Sequence, residues 1–167
     1  GICVNRTNMK AWPVEEIITD TPDDPEFDVF TSSVVDVNEP VLVYYPSVNK
    51  NFLYVRAYDC SGWVKSCDIA ICKDKEEWLE AQNMKDFIIV TGEKIFLETS
   101  DVSANMSKKM LTMGTKLPLI NPEDIPETIN FRSTAYNYIV RLPIRMPDGS
   151  FATLPTQISF NRDVHVG

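Results

Sequence analysis

Hydrophobic and polar positions alternate along much of this chain, and the alternation predicts a mainly β protein. In the first half, β-branched and aromatic residues favour strands at 41–45, 52–58, 62–64 and 68–71. Turn-forming residues separate these strands, and the close spacing leaves no room for the helices of a parallel α/β sheet. The pattern is typical of a small barrel or sandwich.

Residues 74–86 break the alternation and predict one short helix that connects two β regions. Asp74 is a favourable N-cap, and Glu77, three residues later, has the position of its capping-box partner. Most of the residues that follow are good helix formers.

Strands are predicted again after this helix. The segments 87–90 and 95–97 flank a glycine-containing loop, so we expect them to form a hairpin. Residues 136–144 alternate clearly, and a turn at 147–149 leads into a further strand at 151–154.

The two β regions show a weak internal repeat in the order of their turns and strands. We therefore predict two small SH3-like β-barrels joined by a short α-helix. The predicted division is a tail at 1–8, a first barrel at 9–73, the connector at 74–86, a second barrel at 87–160 and a linker at 161–167.

The charge of the chain excludes some partners. The formal net charge is −8 over 167 residues, which argues against nucleic acid because a phosphate backbone requires clustered Lys and Arg. No apolar run approaches the roughly 20 residues of a membrane span. We therefore expect neither a nucleic-acid partner nor a membrane span.

Four cysteines and one histidine are the candidate metal ligands and nucleophiles: Cys3, Cys60, Cys67, Cys72 and His165. The cysteine spacings do not match the close pairs of a structural zinc site. We expect free thiols that pack as small apolar side chains, with no metal and no cofactor.

The string DCSG at 59–62 suggests a thiol peptidase in which Cys60 is the nucleophile and His165 its base. A helix N-terminus would have to follow Cys60 to lower the pKa of the thiol. Residues 63–68 instead have the pattern of a strand and a turn. The active thiol peptidase is therefore the less favoured alternative, and a thiol in a barrel turn is preferred.

A longer, ordered series of segments resembles the bacterial SH3-like (SH3b) domains that precede the catalytic domain of NlpC-type cell-wall cysteine peptidases. The matching segments are 6–13 (RTNMKAWP), 27–28 (FD), Ser33, 39–43 (EPVLV), 53–55 (LYV), 62–64 (GWV), 68–70 (DIA), 87–92 (FIIVTG), 113–119 (MGTKLPL) and 162–167 (RDVHVG).

This resemblance implies a secreted or wall-associated bacterial protein whose whole form hydrolyses peptidoglycan stem peptides. The bond cleaved in that family is typically the one from γ-D-glutamate to the diamino acid. The resemblance also implies that this chain is the non-catalytic region of the murein hydrolase, with the stem peptide and its own catalytic domain, absent here, as partners.

Site residues follow from the same resemblance. In some relatives a carboxylate and an aromatic residue near GWV recognise the free amine of the stem peptide. By position the carboxylate is Glu39, and Tyr58 and Asp59 lie beside Cys60, which replaces the usual aromatic residue. Trp63 is expected as a structural aromatic in the core, like Trp12.

A free-standing SH3-like module that binds a protein or a Pro-rich peptide is the other alternative. It requires a groove of exposed, clustered aromatic residues, and the sequence alone does not indicate one.

Overall fold

The computed structural model describes residues 1–20, 28–97, 109–129 and 131–167. This part of the chain is mainly β, as predicted, with one α-helix, α1 (Lys75–Gln82), and two 3-10 turns at Ser66–Asp68 and Pro122–Asp124. The strands, in chain order, are β1 (Ile2–Cys3), β2 (Thr7–Lys10), β3 (Thr31–Val35), β4 (Leu42–Pro46), β5 (Phe52–Arg56), β6 (Ser61–Lys65), β7 (Ile69–Ala70), β8 (Phe87–Val90), β9 (Lys94–Phe96), β10 (Met110–Thr112), β11 (Lys116–Pro118), β12 (Thr128–Ile129), β13 (Arg132–Ser133), β14 (Asn137–Arg145), β15 (Phe151–Ser159) and β16 (Val164–Val166).

The first half is organised around a five-stranded antiparallel sheet with strand order β3-β2-β6-β5-β4. Successive side chains of a strand point to opposite faces, so Val55 and Val64 enter the core while Tyr54 and Trp63 point outward. The buried core of this half consists of Cys3, Met9, Val35, Val41, Val55, Val64 and Ile69.

The first residues of the chain are part of this core and not a tail. Strand β1 pairs with β7 in antiparallel fashion, and Ile2, Cys3 and Val4 are buried. Cys3 N donates to the Glu39 carbonyl at 2.9 Å, which ties the segment to the site described below. The apolar Ile2–Val4 triplet explains the difference from the prediction, because its burial removes hydrophobic surface from water.

Helix α1 begins where the sequence predicted and ends four residues earlier. The Asp74 side chain accepts a hydrogen bond from Glu77 N at 2.8 Å. The Glu77 carboxylate accepts from Lys73 N at 2.7 Å, one residue before the N-cap position that a capping box uses.

In the second half, the predicted hairpin of 87–90 with 95–97 is wrong. Strand β8 lies between β11 and β16, and β9 pairs with β10 instead. The backbone N–H groups of Thr91 and Gly92 both donate to the Asp163 carbonyl, and a Cβ on Gly92 would lie 2.6 Å from the Asp163 Cβ. This glycine permits a close approach of two distant segments and is not a hairpin turn.

Strand β16 also replaces the predicted linker at 161–167. Val164 is buried in the second core, and the strand pairs with β8 along its length. Nine residue pairs join β14 and β15 in a long hairpin. Its turn places Gly149 at a φ of +90°, and this hairpin confirms the two strands predicted on either side of 147–149.

The two halves pack directly against each other. Val37, from the first half, belongs to the buried core of the second half. Ile71 exchanges backbone hydrogen bonds with Gly149 and Phe151 at the tip of the long hairpin, and Arg145 Nε donates to the Ile69 carbonyl at 3.1 Å. The described strands fall into six separate sheets and do not close into two barrels. The prediction of a mainly β fold is therefore confirmed, whereas the two-barrel arrangement is not.

Candidate functional site

Glu39 lies beside a cavity of about 280 Å³ at the junction of the two halves. A tight turn positions it: Asn38 adopts a φ of 70°, and Asp36 N donates to Glu39 Oε2 at 3.0 Å. Residues of both halves line the cavity, namely Asp36, Val37, Asn38, Glu39, Pro40, Met84, Met113, Gly114, Thr115 and Lys116.

Burial raises the pKa of the Glu39 carboxyl, and the nearby carboxylates of Asp36 and Asp59 raise it further. The hydrogen bond from Asp36 N acts in the opposite direction and does not cancel the rise. No ion pair with Glu39 is present among the described residues, whereas Asp36 pairs with Arg6 Nε at 3.0 Å. The carboxylate therefore lies in a place where a cation would stabilise its charge.

A second polar group in this cavity lacks a partner. The Thr115 hydroxyl is buried and has no hydrogen-bond partner within the described structure. Across the cavity, Asn38 Nδ2 donates to the Lys116 carbonyl at 3.0 Å and holds the two halves together. The Glu39 carboxylate can accept hydrogen bonds from an ammonium group, whereas the Thr115 hydroxyl is closed to solvent.

Tyr58 and Asp59, the other predicted binding residues, lie in the turn between β5 and β6. The negative charge of Asp59 contributes to the raised pKa of the Glu39 carboxyl. Tyr58 is fully exposed, and its ring is not held by core packing.

The structure disfavours a nucleophile pair of Cys60 and His165. Strand β6, and not a helix, follows Cys60, and burial together with the Asp59 side chain raises the pKa of its thiol. The Cys60 Sγ lies 3.4 Å from the Met9 Sδ, while His165 Nε2 is 3.1 Å from the Arg162 carbonyl. The two residues thus have different partners.

All four cysteines are free, and burial raises the pKa of each thiol. Cys3 is fully buried, as predicted, but Cys67 is exposed. Across the described ranges, the structure groups no three His, Cys, Asp or Glu side chains in a way that could hold a metal ion.

None of the helices in the described part of the chain combines the length and apolar character that crossing a bilayer requires.

Trp63 lies on the outer face of the five-stranded sheet and not in the core, in contrast to the prediction. Its ring contacts Tyr54 at 5.3 Å and Tyr45 at 5.7 Å between centroids, both edge to face. Tyr45 stacks on Tyr54 at 5.2 Å, and Tyr44 lies 6.2 Å from Tyr54. We call these four side chains the aromatic row. Trp12, also predicted for the core, is 60% exposed.

A larger cavity, of about 460 Å³, borders the aromatic row at Trp63. The segment after β2 folds over the sheet here, held by Lys10 Nζ, which donates to the Glu16 carbonyl at 2.8 Å and pairs with Asp28 at 2.8 Å. The hydrogen bond from Lys10, with further donors, lowers the pKa of the Asp28 carboxyl to about 2.

The sequence contains a feature that would have indicated the aromatic row. Val55 and Val64 alternate with Tyr54 and Trp63, so valines in the core imply rings on the outer face. The prediction followed the general tendency of tryptophan to be buried and not this alternation of valines and aromatic residues.

Comparisons with known proteins agree with this architecture. Residues 19–65 match the family model of the SH3 domain (SH3b1 type). A solved structure, described as a novel NlpC/P60 endopeptidase from Photobacterium damselae subsp. piscicida, is similar with a TM-score of 0.74 and 18% sequence identity. The similarity covers 98% of this chain and 32% of that one, so this chain spans about a third of the endopeptidase. No curated protein matches. The first half thus carries a match to a bacterial SH3 domain, and nearly the whole chain shares its fold with part of an endopeptidase.

Proposed function

We propose that this chain is the non-catalytic, wall-binding and cleft-shaping region of a secreted peptidoglycan stem-peptide hydrolase. The SH3 match at 19–65 and the shared fold with an NlpC/P60 endopeptidase support the class of protein. The observation that carries the binding role is Glu39, a solvent-exposed carboxylate that lines a cavity, has a raised pKa and has no cation paired to it in the described residues.

The ligand that fits Glu39 is the free amine at the start of a peptidoglycan stem peptide. The positive charge of an ammonium group would offset the negative charges of Glu39 and of the nearby Asp36 and Asp59. Charge-assisted hydrogen bonds of this kind are stronger than neutral ones.

In the whole protein, this cavity would present the stem peptide to a catalytic domain in the same chain. That domain would cleave the bond from γ-D-glutamate to the diamino acid, at the cell wall or outside the cell. This division of roles agrees with the raised pKa of the Cys60 thiol, which argues against a nucleophile here.

Two measurements test this proposal. The first is sedimentation of the chain with isolated peptidoglycan, which should carry the protein into the pellet. The second is calorimetric titration with L-Ala-γ-D-Glu-diaminopimelate, with its amine free or acetylated. Acetylation removes the charge, so we expect binding to the free amine to be about tenfold tighter.

Glu39→Gln should weaken binding of the free-amine peptide about tenfold and abolish the difference between the two peptides. Glu80→Gln, on the exposed face of α1, is the matched control and should leave the affinity unchanged. Equal affinities for the free and acetylated peptides in the unmodified chain would reject the amine site.

A free-standing SH3-like module for Pro-rich peptides is the second candidate, and the aromatic row favours it. Titration with a Pro-rich peptide separates the two functions, because a wall-binding region should not bind it.

A further inference from the structure

The register of three neighbouring strands places aromatic rings in one line across the outer face of the sheet. Tyr54 on β5 lies opposite Trp63 on β6 and opposite Tyr45 on β4. Side chains directly opposite each other in antiparallel strands are close, and the three rings touch in sequence. The register shift between Val43 and Tyr45 leaves Tyr44 beside the same line.

Two of the four rings in the aromatic row are open to solvent, whereas Tyr54 and Trp63 are half-buried. Tyr44 is 57% exposed and Tyr45 is 51% exposed. Soluble proteins rarely expose contiguous apolar patches without a binding role, and tyrosine and tryptophan are enriched at binding surfaces. The row therefore has the character of a ligand platform and not of a misplaced core.

The cavity of about 460 Å³ beside Trp63 has the volume of a typical small-ligand pocket. Its charged side chains are three cations and three anions, namely Arg6, Lys10, Lys65, Glu15, Asp28 and Asp68. Lys10 pairs with Asp28 at 2.8 Å and Lys65 with Glu15 at 3.3 Å. The formal charges of the cavity cancel, although the chain as a whole carries −8.

We infer that the aromatic row and this cavity together bind a neutral oligosaccharide. Aromatic rings stack on the apolar faces of sugar rings. Sugar hydroxyl groups both donate and accept hydrogen bonds, so they need donors and acceptors beside the stacking surface. The aromatic row supplies the stacking rings, and the adjoining cavity supplies the hydrogen-bond donors and acceptors. Trp63 belongs to both. The inference rests on the proposed function and deepens it by naming the glycan, in addition to the stem peptide, as a ligand.

The charge balance distinguishes this ligand from others. A basic peptide would find no net negative charge in the cavity, and an anionic ligand no net positive charge. A Pro-rich peptide would use the rings but leave the paired ions of the cavity without a role. A neutral ligand with many hydroxyl groups uses both surfaces.

The test is titration of the whole chain with a soluble β-1,4-linked tetramer of N-acetylglucosamine, followed by NMR chemical shifts and by tryptophan fluorescence. Tyr45→Ala should lower the affinity about tenfold, because it removes one stacking ring at the exposed edge of the sheet. Trp63→Phe, which preserves an aromatic ring in the fold, should weaken binding to a smaller extent. Tyr136→Ala is the matched control, since Tyr136 is 85% exposed and lies outside the aromatic row, and it should bind as the unmodified chain does.

The outcomes separate this inference from the proposed function. If the chain sediments with peptidoglycan but the tetramer produces no shifts, the oligosaccharide site is rejected and the wall-binding function stands. Equal losses for Tyr45→Ala and Tyr136→Ala would also reject the site. Binding of a Pro-rich peptide at the row, in place of the tetramer, would assign it to a peptide. If neither peptidoglycan nor the stem peptide binds, the proposed function itself fails.

Discussion

Two carboxylates in the first half, Asp28 and Glu39, have opposite environments. Asp28 pairs with Lys10 at 2.8 Å, accepts from Phe30 N at 3.1 Å and from the Thr31 hydroxyl at 3.0 Å, and its pKa falls to about 2. Glu39 accepts from Asp36 N, and its pKa is raised by burial and by like charges. The protein therefore compensates the charge of Asp28, whereas no cation among the described residues pairs with Glu39.

This difference separates structural from functional acids. A carboxylate whose charge is compensated within the protein contributes to stability and gains little from an added cation. A carboxylate without such compensation lowers stability when ionised and has interaction energy available for a cation. The comparison predicts that substitutions at Asp28 and Glu39 change stability in opposite directions.

The largest effect is expected for Asp28→Asn, which removes the negative charge that Lys10 contacts. A hydrogen-bonded charge pair of this kind contributes about 2 kcal/mol to the free energy of unfolding, so the variant should be less stable by that amount. Urea denaturation at pH 7 measures the loss. Glu15→Gln, in the exposed pair with Lys65, is the control and should cost less than about 0.5 kcal/mol.

The pH dependence provides a second readout for Asp28. Because the folded pKa of about 2 lies below the usual value of 3.8, the carboxylate stabilises the fold above about pH 4, and this contribution is lost as the pH falls toward 2. Asp28→Asn should remove this part of the acid dependence. An unchanged acid transition would show that the pair with Lys10 is not structural.

Thr115→Val tests the Glu39 cavity at its other polar group. The buried hydroxyl has no partner in the described structure, so an isosteric methyl group should stabilise the fold by about 1 kcal/mol. Thr112→Val is the matched control, because the Thr112 hydroxyl donates to Asp36 Oδ1 at 2.7 Å and its removal should destabilise by a similar amount. Thermal unfolding of the two variants should move in opposite directions, and a loss in both would mean that Thr115 is satisfied.

The sequence was sufficient to predict the strands whose partners are near in the chain. Strands β5 and β6 alternate within one short stretch, and so do β14 and β15 across the turn at Gly149. Local alternation determines which residues face the core, and a short turn determines the partner.

Pairing between distant segments could not be predicted in this way. Gly92 appeared to be a hairpin glycine, but its N–H donates to Asp163, far along the chain. Strand β1 likewise pairs with β7, a strand far along the chain. Such contacts depend on the packing of the whole fold, and no local pattern encodes them.

The candidate site was predictable only in part, for the same reason. The resemblance pointed to Glu39, Tyr58 and Asp59. The charge of Asp59 contributes to the raised pKa of Glu39, whereas Tyr58 is fully exposed. The cavity beside Glu39 requires Thr115 and Lys116 of the second half, which the sequence does not place near Glu39. The aromatic row depends on the register of three strands, which becomes apparent only in the sheet.

The smallest stability change, and the one that most directly opposes Asp28→Asn, is expected for Glu39→Gln. The folded pKa of Glu39 is raised, so the folded state holds its proton more tightly than the unfolded chain, and stability falls as the pH rises above the usual value of 4.5. Glutamine removes that cost while its carbonyl can still accept from Asp36 N. Since Glu39 is partly exposed and its charge is screened, the gain at pH 7 should be a few tenths of a kcal/mol, and it should vanish at pH 3.

Urea denaturation at both pH values measures it, with Glu80→Gln as the unchanged control. A loss of stability at pH 7 would make Glu39 a structural acid like Asp28 and remove the physical basis for an ammonium ligand, whereas a small gain accompanied by weaker stem-peptide binding is expected of a functional carboxylate.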